Sequence, residues 1–358
     1  MKGEVVYLYA FDVADEIKMA KIENILADKP IPFELPSDRT LPRDVQFYKP
    51  LAIEPQAQST LAGRPVRLLI RIYEVGVVSI AMRVSFEVER LCALLPFHKP
   101  VLDDRRTFDA FARDLCRQTC ESLQDVMIRR SSASEPEAYT VFCLTQIDDV
   151  ADVNAWLAGQ HREAAELLTE SEPGTLSETQ VAEVVRIRRS FAKTDAVVVD
   201  WDAALAIDLT GYIDDVLYVL ELANLQLEEY RVMDERLDGY LDRAYEDVKS
   251  HRFGFFGTYS KTLAALRAFR VDVTKLNDEV THISKFFGDW HLARVYLGAR
   301  ERFYLDQWRN SVEDRLSQVD NLYTVVNSDV GNKRMLWMEV LVLIFFAVDL
   351  FAILVLKR

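Results

Sequence analysis

The sequence predicts an α+β chain: an N-terminal mixed α/β domain, then long antiparallel helices, then a single C-terminal transmembrane helix. Three observations predict it. Strand-like apolar runs and helix-spaced segments alternate up to about residue 210. After Gly211, apolar residues recur every three and four positions with hardly a break. The chain then closes on RMLWMEVLVLIFFAVDLFAILVLKR, residues 334–358. The expected divisions are 1–210 for the α/β domain, 211–332 for a helical stalk and 333–358 for the membrane anchor.

In chain order, EVVYLYAFDV (4–13) is rich in β-branched and aromatic residues and reads as a buried strand. DEIKMAKIENILA shifts to helical spacing through Ile17, Ala20, Ile22 and Ile25, and a loop with Pro30, Pro32, Pro36 and Pro42 follows. VRLLIRIYEV and GVVSIAMRVSF are two strand-like runs meeting at Gly76, which suggests a bulge or tight turn. RTFDAFARDLCRQTCESLQDVMIR places apolar residues at 108, 111, 115, 119/120, 123 and 126/127, a helix pattern. EAYTVFCLTQI is another strand. SSASEPE and TESEPGTLSE are polar loops, the second ending in the capping box Ser177-x-x-Gln180. DAVVVDWDAALAID supplies one or two more strands.

Beyond Gly211, a heptad-like seam runs through Ile213, Val216, Leu220, Ala223, Leu227, Tyr230, Asp234, Leu237, Leu241, Ala244 and Val248. Glu228 lies off that seam. A second seam follows HRFGFFG, through Tyr259, Leu266, Phe269, Val273, Leu276, Val280, Ile283 and Phe287. Gly288-Asp289 ends it, and the last helix carries Leu305, Trp308, Val312, Val319, Leu322 and Val326. Such seams mean helices packed on each other within one chain or between copies.

From Val340 to Leu356 the one non-apolar residue is Asp349. With Leu336, Trp337 and Met338 included, the run reaches the ~30 Å of a bilayer core at ~1.5 Å per residue. Trp337 and Glu339 fall where an interface is expected, and basic pairs flank both ends. The expectation is therefore a tail-anchored, single-pass membrane protein inserted through residues 336–356, with the bulk of the chain cytoplasmic. An unpaired mid-span carboxylate costs about 2.5–3.5 kcal/mol. Asp349 thus suggests helix association, with tolerated protonation and an ion path as alternatives.

Net charge is −14, with 43 basic and 57 acidic residues, which fits nucleic acid poorly because phosphate contacts need Lys and Arg. Arg186, Arg188 and Arg189 read as a solvated helix face. No phosphate loop, dinucleotide fingerprint, zinc-protease motif or nucleophile elbow is present, so no cofactor and no catalytic or metal residue is expected. Cys116 and Cys120 share a helix face and could offer two metal ligands, with His98 or Cys143 as distant additions; small packing residues are the simpler reading. Asp200, Asp202 and Asp208 sit near strand ends, where acids form turns or hold metals.

The order of elements resembles the Rmd/YagE family, in which a short α/β region precedes long helices and a C-terminal membrane segment. VVYLYAFDVADEI resembles that family's opening strand. IRIYEVGVVSIAM is similar to its strand with a glycine turn, although Val75 stands where the family has Tyr or Phe. GDWHLARVYLGARERFYLDQWRNSVEDRLSQVDNLYTVV resembles its closing helices. None of these motifs is catalytic. The resemblance implies an anchoring or scaffold role, as in a eukaryotic branch linked to mitochondrial translation. The function expected is thus a non-enzymatic, homo-oligomeric scaffold presenting its α/β domain. The alternative is a subunit of an oligomeric cation-responsive channel or transport regulator. The chain has neither the two spans nor the Gly-Met-Asn loop of CorA-type magnesium channels.

Overall fold

A computed structural model describes residues 1–24, 31, 50–55, 59–131, 135–250, 269–271, 273–274 and 290–356. It divides into two compact units. Unit one comprises Met1–Val232 and Asp278–Trp308; unit two comprises Met233–Asn277 and Arg309–Arg358. The proline loop, HRFGFFG, Gly288-Asp289 and most of the second seam lie outside the described residues.

Unit one is built on an eight-stranded sheet. Its strands are β1 (Lys2–Asp12), β3 (Leu51–Ile53), β6 (Arg67–Ile72), β7 (Val77–Glu87), β9 (Glu137–Gln146), β10 (Arg188–Arg189), β11 (Asp195–Val199) and β12 (Ala203–Asp208). The order is β10-β11-β12-β9-β1-β7-β6-β3. All neighbours are antiparallel except β12 and β9. A parallel pair needs a crossover. Three helices lie on that path: α2 (Val153–Gly159), α3 (His161–Leu168) and α4 (Glu178–Val184). Ser177 accepts from the Gln180 N–H at 3.2 Å, so the expected cap starts α4. Two short ladders stand apart, β2 (Ala14–Ile17) with β8 (Met127–Arg130), and β4 (Thr60–Leu61) with β5 (Arg64–Pro65).

Alternation along β1 divides the two faces of the sheet. Val5, Tyr7, Tyr9 and Phe11 join the main core with Ile80, Met82, Phe142 and Leu205, against α1 (Phe108–Ser122) and the helices of the crossover. Glu4, Val6, Leu8 and Ala10 point the other way. That second face meets the first half of α5 (Ile213–Ser250), as the pairs Arg71–Glu221 and Asn224–Glu137 show. α6 (Trp290–Arg302) lies against β10 and β11.

Two sequence expectations change here. Residues 14–24 form β2 and a 3-10 turn (Met19–Asn24), not a helix. The Ile17 N–H donates to the Glu74 carbonyl at 2.9 Å and that of Lys18 to Val126 at 3.0 Å. Long-range backbone bonds outweigh a weak local helix propensity. The far end of the expected helix at 106–129 likewise becomes β8, while Thr107 caps α1 by accepting from the Ala110 N–H. Gly76 makes the expected tight turn at φ +91°, and a Cβ there would stand 1.7 Å from the Ala14 carbonyl oxygen.

In unit two, Leu237, Phe269, Val273, Val312, Leu316 and Val319 are buried. Tyr240 stacks edge-on against Phe269, with ring centres 5.8 Å apart. Arg315 on α7 (Leu305–Leu356) pairs with Asp234 at 3.2 Å and also with Asp238.

The expected transmembrane anchor is overturned. Among the described residues, no helix is long and apolar enough to cross a membrane. The expectation places the span at residues 336–356; Glu339 stands inside that stretch, where a carboxylate is costly. The single-pass, tail-anchored placement and the membrane localisation drawn from it fall with the span. Trp337 is 62% exposed and Glu339 is also exposed. Asp349 lies in α7, with its side chain outside the described residues.

Candidate functional site

The α1 helix lays its apolar stripe on the sheet, burying Phe111, Ala112, Leu115 and Cys116. One turn past Cys116, Cys120 sits at the edge of that stripe, half-buried. The strand β8 runs alongside and carries Met127 and Arg130. Between them opens a cleft of about 320 Å³. Phe11, Val13, Cys116, Cys120 and Met127 give it an apolar, sulfur-rich lining, while Arg113, Arg117, Arg130, Glu121 and Ser131 add polar groups.

Ser131 closes one end. Its hydroxyl donates to the Asp12 carboxylate at 2.9 Å, and its N–H donates to the Val13 carbonyl at 3.0 Å. This ties the end of β8 to the end of β1 and holds Arg130 beside α1. The other two arginines have partners at the surface: Arg113 with Glu135 at 3.4 Å and Arg117 with Asp114 at 2.9 Å. Glu135 and Asp114 stand against the charges of Arg113 and Arg117, and Arg130 is the cation that acts on Cys120.

The two sulfurs stand 3.9 Å apart. Cys120 has its pKa lowered, first by the hydrogen bond from Cys116 and then by the Arg130 charge, against the opposing effect of burial. The Cys116 thiol is pushed up by holding the proton of that bond and by burial. Cys120 is therefore the sulfur that carries negative charge more readily.

The other residues singled out in the sequence do not converge here. Cys143 lies on the opposite face of the sheet, beside Glu4 and Arg83. His98 packs on Phe142, and its Nε2 bonds the Leu167 carbonyl at 2.6 Å. Asp208 accepts from the N–H groups of Thr210 and Tyr212 at 2.6 and 3.0 Å, a turn-forming role. Asp200 pairs with Arg302 at 3.3 Å. Among the described residues, no group of three or more His, Cys, Asp or Glu could hold a metal ion. Arg186 binds Glu183 and Glu301, and Arg188 and Arg189 form β10 instead of a helix face. Arg113 and Arg130 were not singled out from the sequence. The fold brings them together, and the spacing of Cys116 and Cys120 was the one readable signal of the site.

Residues 2–213 match the family described as "Uncharacterized protein MJ0711, N-terminal domain". The chain belongs to this family. Uncharacterized protein MJ0711 of Methanocaldococcus jannaschii is 20% identical over 189 residues, covering 53% of this chain and 57% of that relative. The chain therefore spans little more than half the length of the relative. The matched family region holds the whole sheet and every residue that lines the cleft.

Proposed function

We propose that unit one is a binding module for a small organic anion with an apolar body, and that binding rather than catalysis is its task. The observation that carries this reading is the pairing of an apolar, sulfur-rich lining with Arg113, Arg117 and Arg130 in one cleft. Ligand sites are mostly apolar with a few placed polar groups, and occupy roughly 300–1,000 Å³. This cleft stands at the lower end of that range. Guanidinium groups recognise carboxylates and phosphates through paired N–H donors. Among the described residues lining the cleft there is no histidine to serve as a general base.

Titration calorimetry on the purified full-length protein tests the reading, with decanoate, phenyl phosphate and inorganic phosphate as probes. Saturable binding is expected for the first two and much weaker binding for inorganic phosphate. Replacing Arg117 and Arg130 together by Ala should weaken decanoate binding by about tenfold or more. Equal affinity in that variant, or no saturable binding by either organic probe, overturns the reading.

A second observation favours self-assembly. On α7, Trp337, Phe345 and Phe346 are 62%, 67% and 70% exposed, and Met335, Leu336, Leu343 and Val348 are also more than half exposed. Aromatic side chains carry on the order of 150–250 Å² each. The stretch thus offers on the order of 1,000 Å² of apolar surface, more than the ~800 Å² per partner of a standard interface. The occupant argued for is a second copy of this chain, giving a homo-oligomer that presents its binding units together.

A further inference from the structure

We propose that Cys116, Cys120 and Met127 form a binding site for monovalent copper in the wall of the cleft. Two thiols on one helix face can be joined by a disulfide or bridged by a metal, and the geometry separates the two. Residues four apart on a helix have Cβ atoms about 5–6 Å apart. A disulfide needs about 3.5–4.5 Å, so closing one would distort α1. A bridging ion needs no such closure. Sulfurs 3.9 Å apart can each reach one ion at about 2.3 Å, with an S–metal–S angle of roughly 115°. That angle lies between tetrahedral and trigonal, so a third ligand completes the coordination. Met127 lines the same cleft and supplies a thioether sulfur.

The donor set selects the metal. Thiolate and thioether sulfur are soft and favour Cu(I), whereas divalent zinc sites add imidazole, carboxylate or further thiolates. No such third group joins the cysteines among the described residues. Charge points the same way. Two thiolates with Cu(I) carry a net charge of −1, which the Arg130 guanidinium acting on Cys120 favours. The same thiolates with a divalent ion are neutral and gain nothing from that cation. On binding, each thiol gives up its proton to solvent and keeps its electrons in the metal–sulfur bond, so no oxidant is needed. The proposal does not rest on the organic-anion reading, because it can be tested with the metal alone.

The test is an anaerobic titration of the full-length protein with Cu(I) against a competing Cu(I) chelator, with Zn(II) titrated in parallel and copper X-ray absorption on the loaded protein. The expected result is one tightly held Cu(I) per chain with a shell of three sulfurs at about 2.3 Å. Cys116→Ser and Cys120→Ser should each abolish it, and Met127→Leu should reduce the shell to two sulfurs. Cys92→Ser should leave it intact. Should the cysteine variants fail to fold by circular dichroism, alkylation mapping of the wild type decides: Cu(I) must protect the half-buried Cys120, and not Cys92. No Cu(I) retained by the wild type, a nitrogen or oxygen shell, copper retained without either cysteine, or tighter binding of Zn(II) overturns the proposal.

Discussion

Arg71 on β6 and Glu221 on α5 form an ion pair in the buried layer between sheet and helix, across 150 residues of sequence. Tyr73 donates to the same carboxylate at 3.2 Å, and the Arg71 guanidinium lies 5.8 Å from the centre of the Tyr218 ring. Both charges are almost fully withdrawn from water. Breaking a buried pair by removing one partner leaves an uncompensated charge, which costs about 3–5 kcal/mol.

Glu221→Ala should therefore lower unfolding stability by about 3–5 kcal/mol in urea titrations. Replacing both residues with apolar ones, Arg71→Met with Glu221→Leu, should cost much less than the sum of the single changes. If the double variant is as damaged as that sum, the two residues do not act as a pair.

The same helix makes a sharper contrast at Leu227 and Glu228. The heptad seam puts Leu227 in the core and leaves Glu228 outside it, so that Glu228→Ala should cost little. In the fold both are buried, at 5% and 1% exposure. Glu228 also faces Arg231 at 3.5 Å. Glu228→Ala should then cost about 1 kcal/mol or more, because Arg231 loses one of its two carboxylate partners. An effect indistinguishable from zero would restore the seam reading of this turn.

These cases mark what was legible in the chain. Spacing revealed where α1 and α5 form and which of their residues meet a core, because an apolar stripe repeats at the helical period. Burial of Glu221, Asn224, Gln226 and Glu228 was hidden, since a charged residue signals solvent unless its partner is known. The partner Arg71 sits on a distant strand. Residues 14–17 carried a helical pattern, yet β8 and the Gly76 turn offered stronger backbone bonds. The cleft was half visible: Cys116 and Cys120 showed through their spacing, but Arg130 came from a segment that reads as the end of a helix. The apolar terminal run is plain in the sequence, but among the described residues no helix is long and apolar enough for the membrane span it suggests.

At His98, burial lowers the pKa below its ordinary value near 6.5. The fold holds the neutral ring, whose Nε2–H donates to the Leu167 carbonyl. Because the unfolded chain binds this proton more tightly, the stabilisation is present above about pH 6.5 and is lost as pH falls through the lower folded value. His98→Gln keeps a donor and cannot titrate. The stability difference between wild type and His98→Gln should therefore shift against the wild type between pH 7.5 and pH 5. A difference independent of pH across that range would show that the ring does not titrate differently in the fold.

Gly76 links the β6–β7 turn to β2. Its N–H donates to the Tyr73 carbonyl at 3.1 Å, and its own carbonyl accepts from Val13 at 2.9 Å and Ala14 at 3.2 Å. Its positive φ and the closeness of the Ala14 carbonyl oxygen both exclude a side chain. Gly76→Ala should cost more than the ~1 kcal/mol of unfavourable φ alone, because the backbone of β2 must move as well. Proteolysis should then cut first near residues 14–17. A variant as stable as the wild type would mean that the contact is not kept.

Self-assembly through residues 335–348 gives the last test. Apolar patches beyond a few hundred Å² are rare on proteins that stay monomeric, and the side chains here are exposed on every side of α7. A second copy would bury Leu343, Phe345 and Phe346 without any change in unit one. Sedimentation of the full-length protein should show an oligomer at micromolar concentration. Phe346→Asp combined with Leu343→Asp should shift it towards monomer, because an unpaired carboxylate is costly in an apolar interface. Stability of the α/β unit should not change, since Glu221, Cys116 and the sheet all lie in unit one. If the wild type sediments as a monomer at that concentration, or the double variant assembles equally well, this stretch does not hold the copies together.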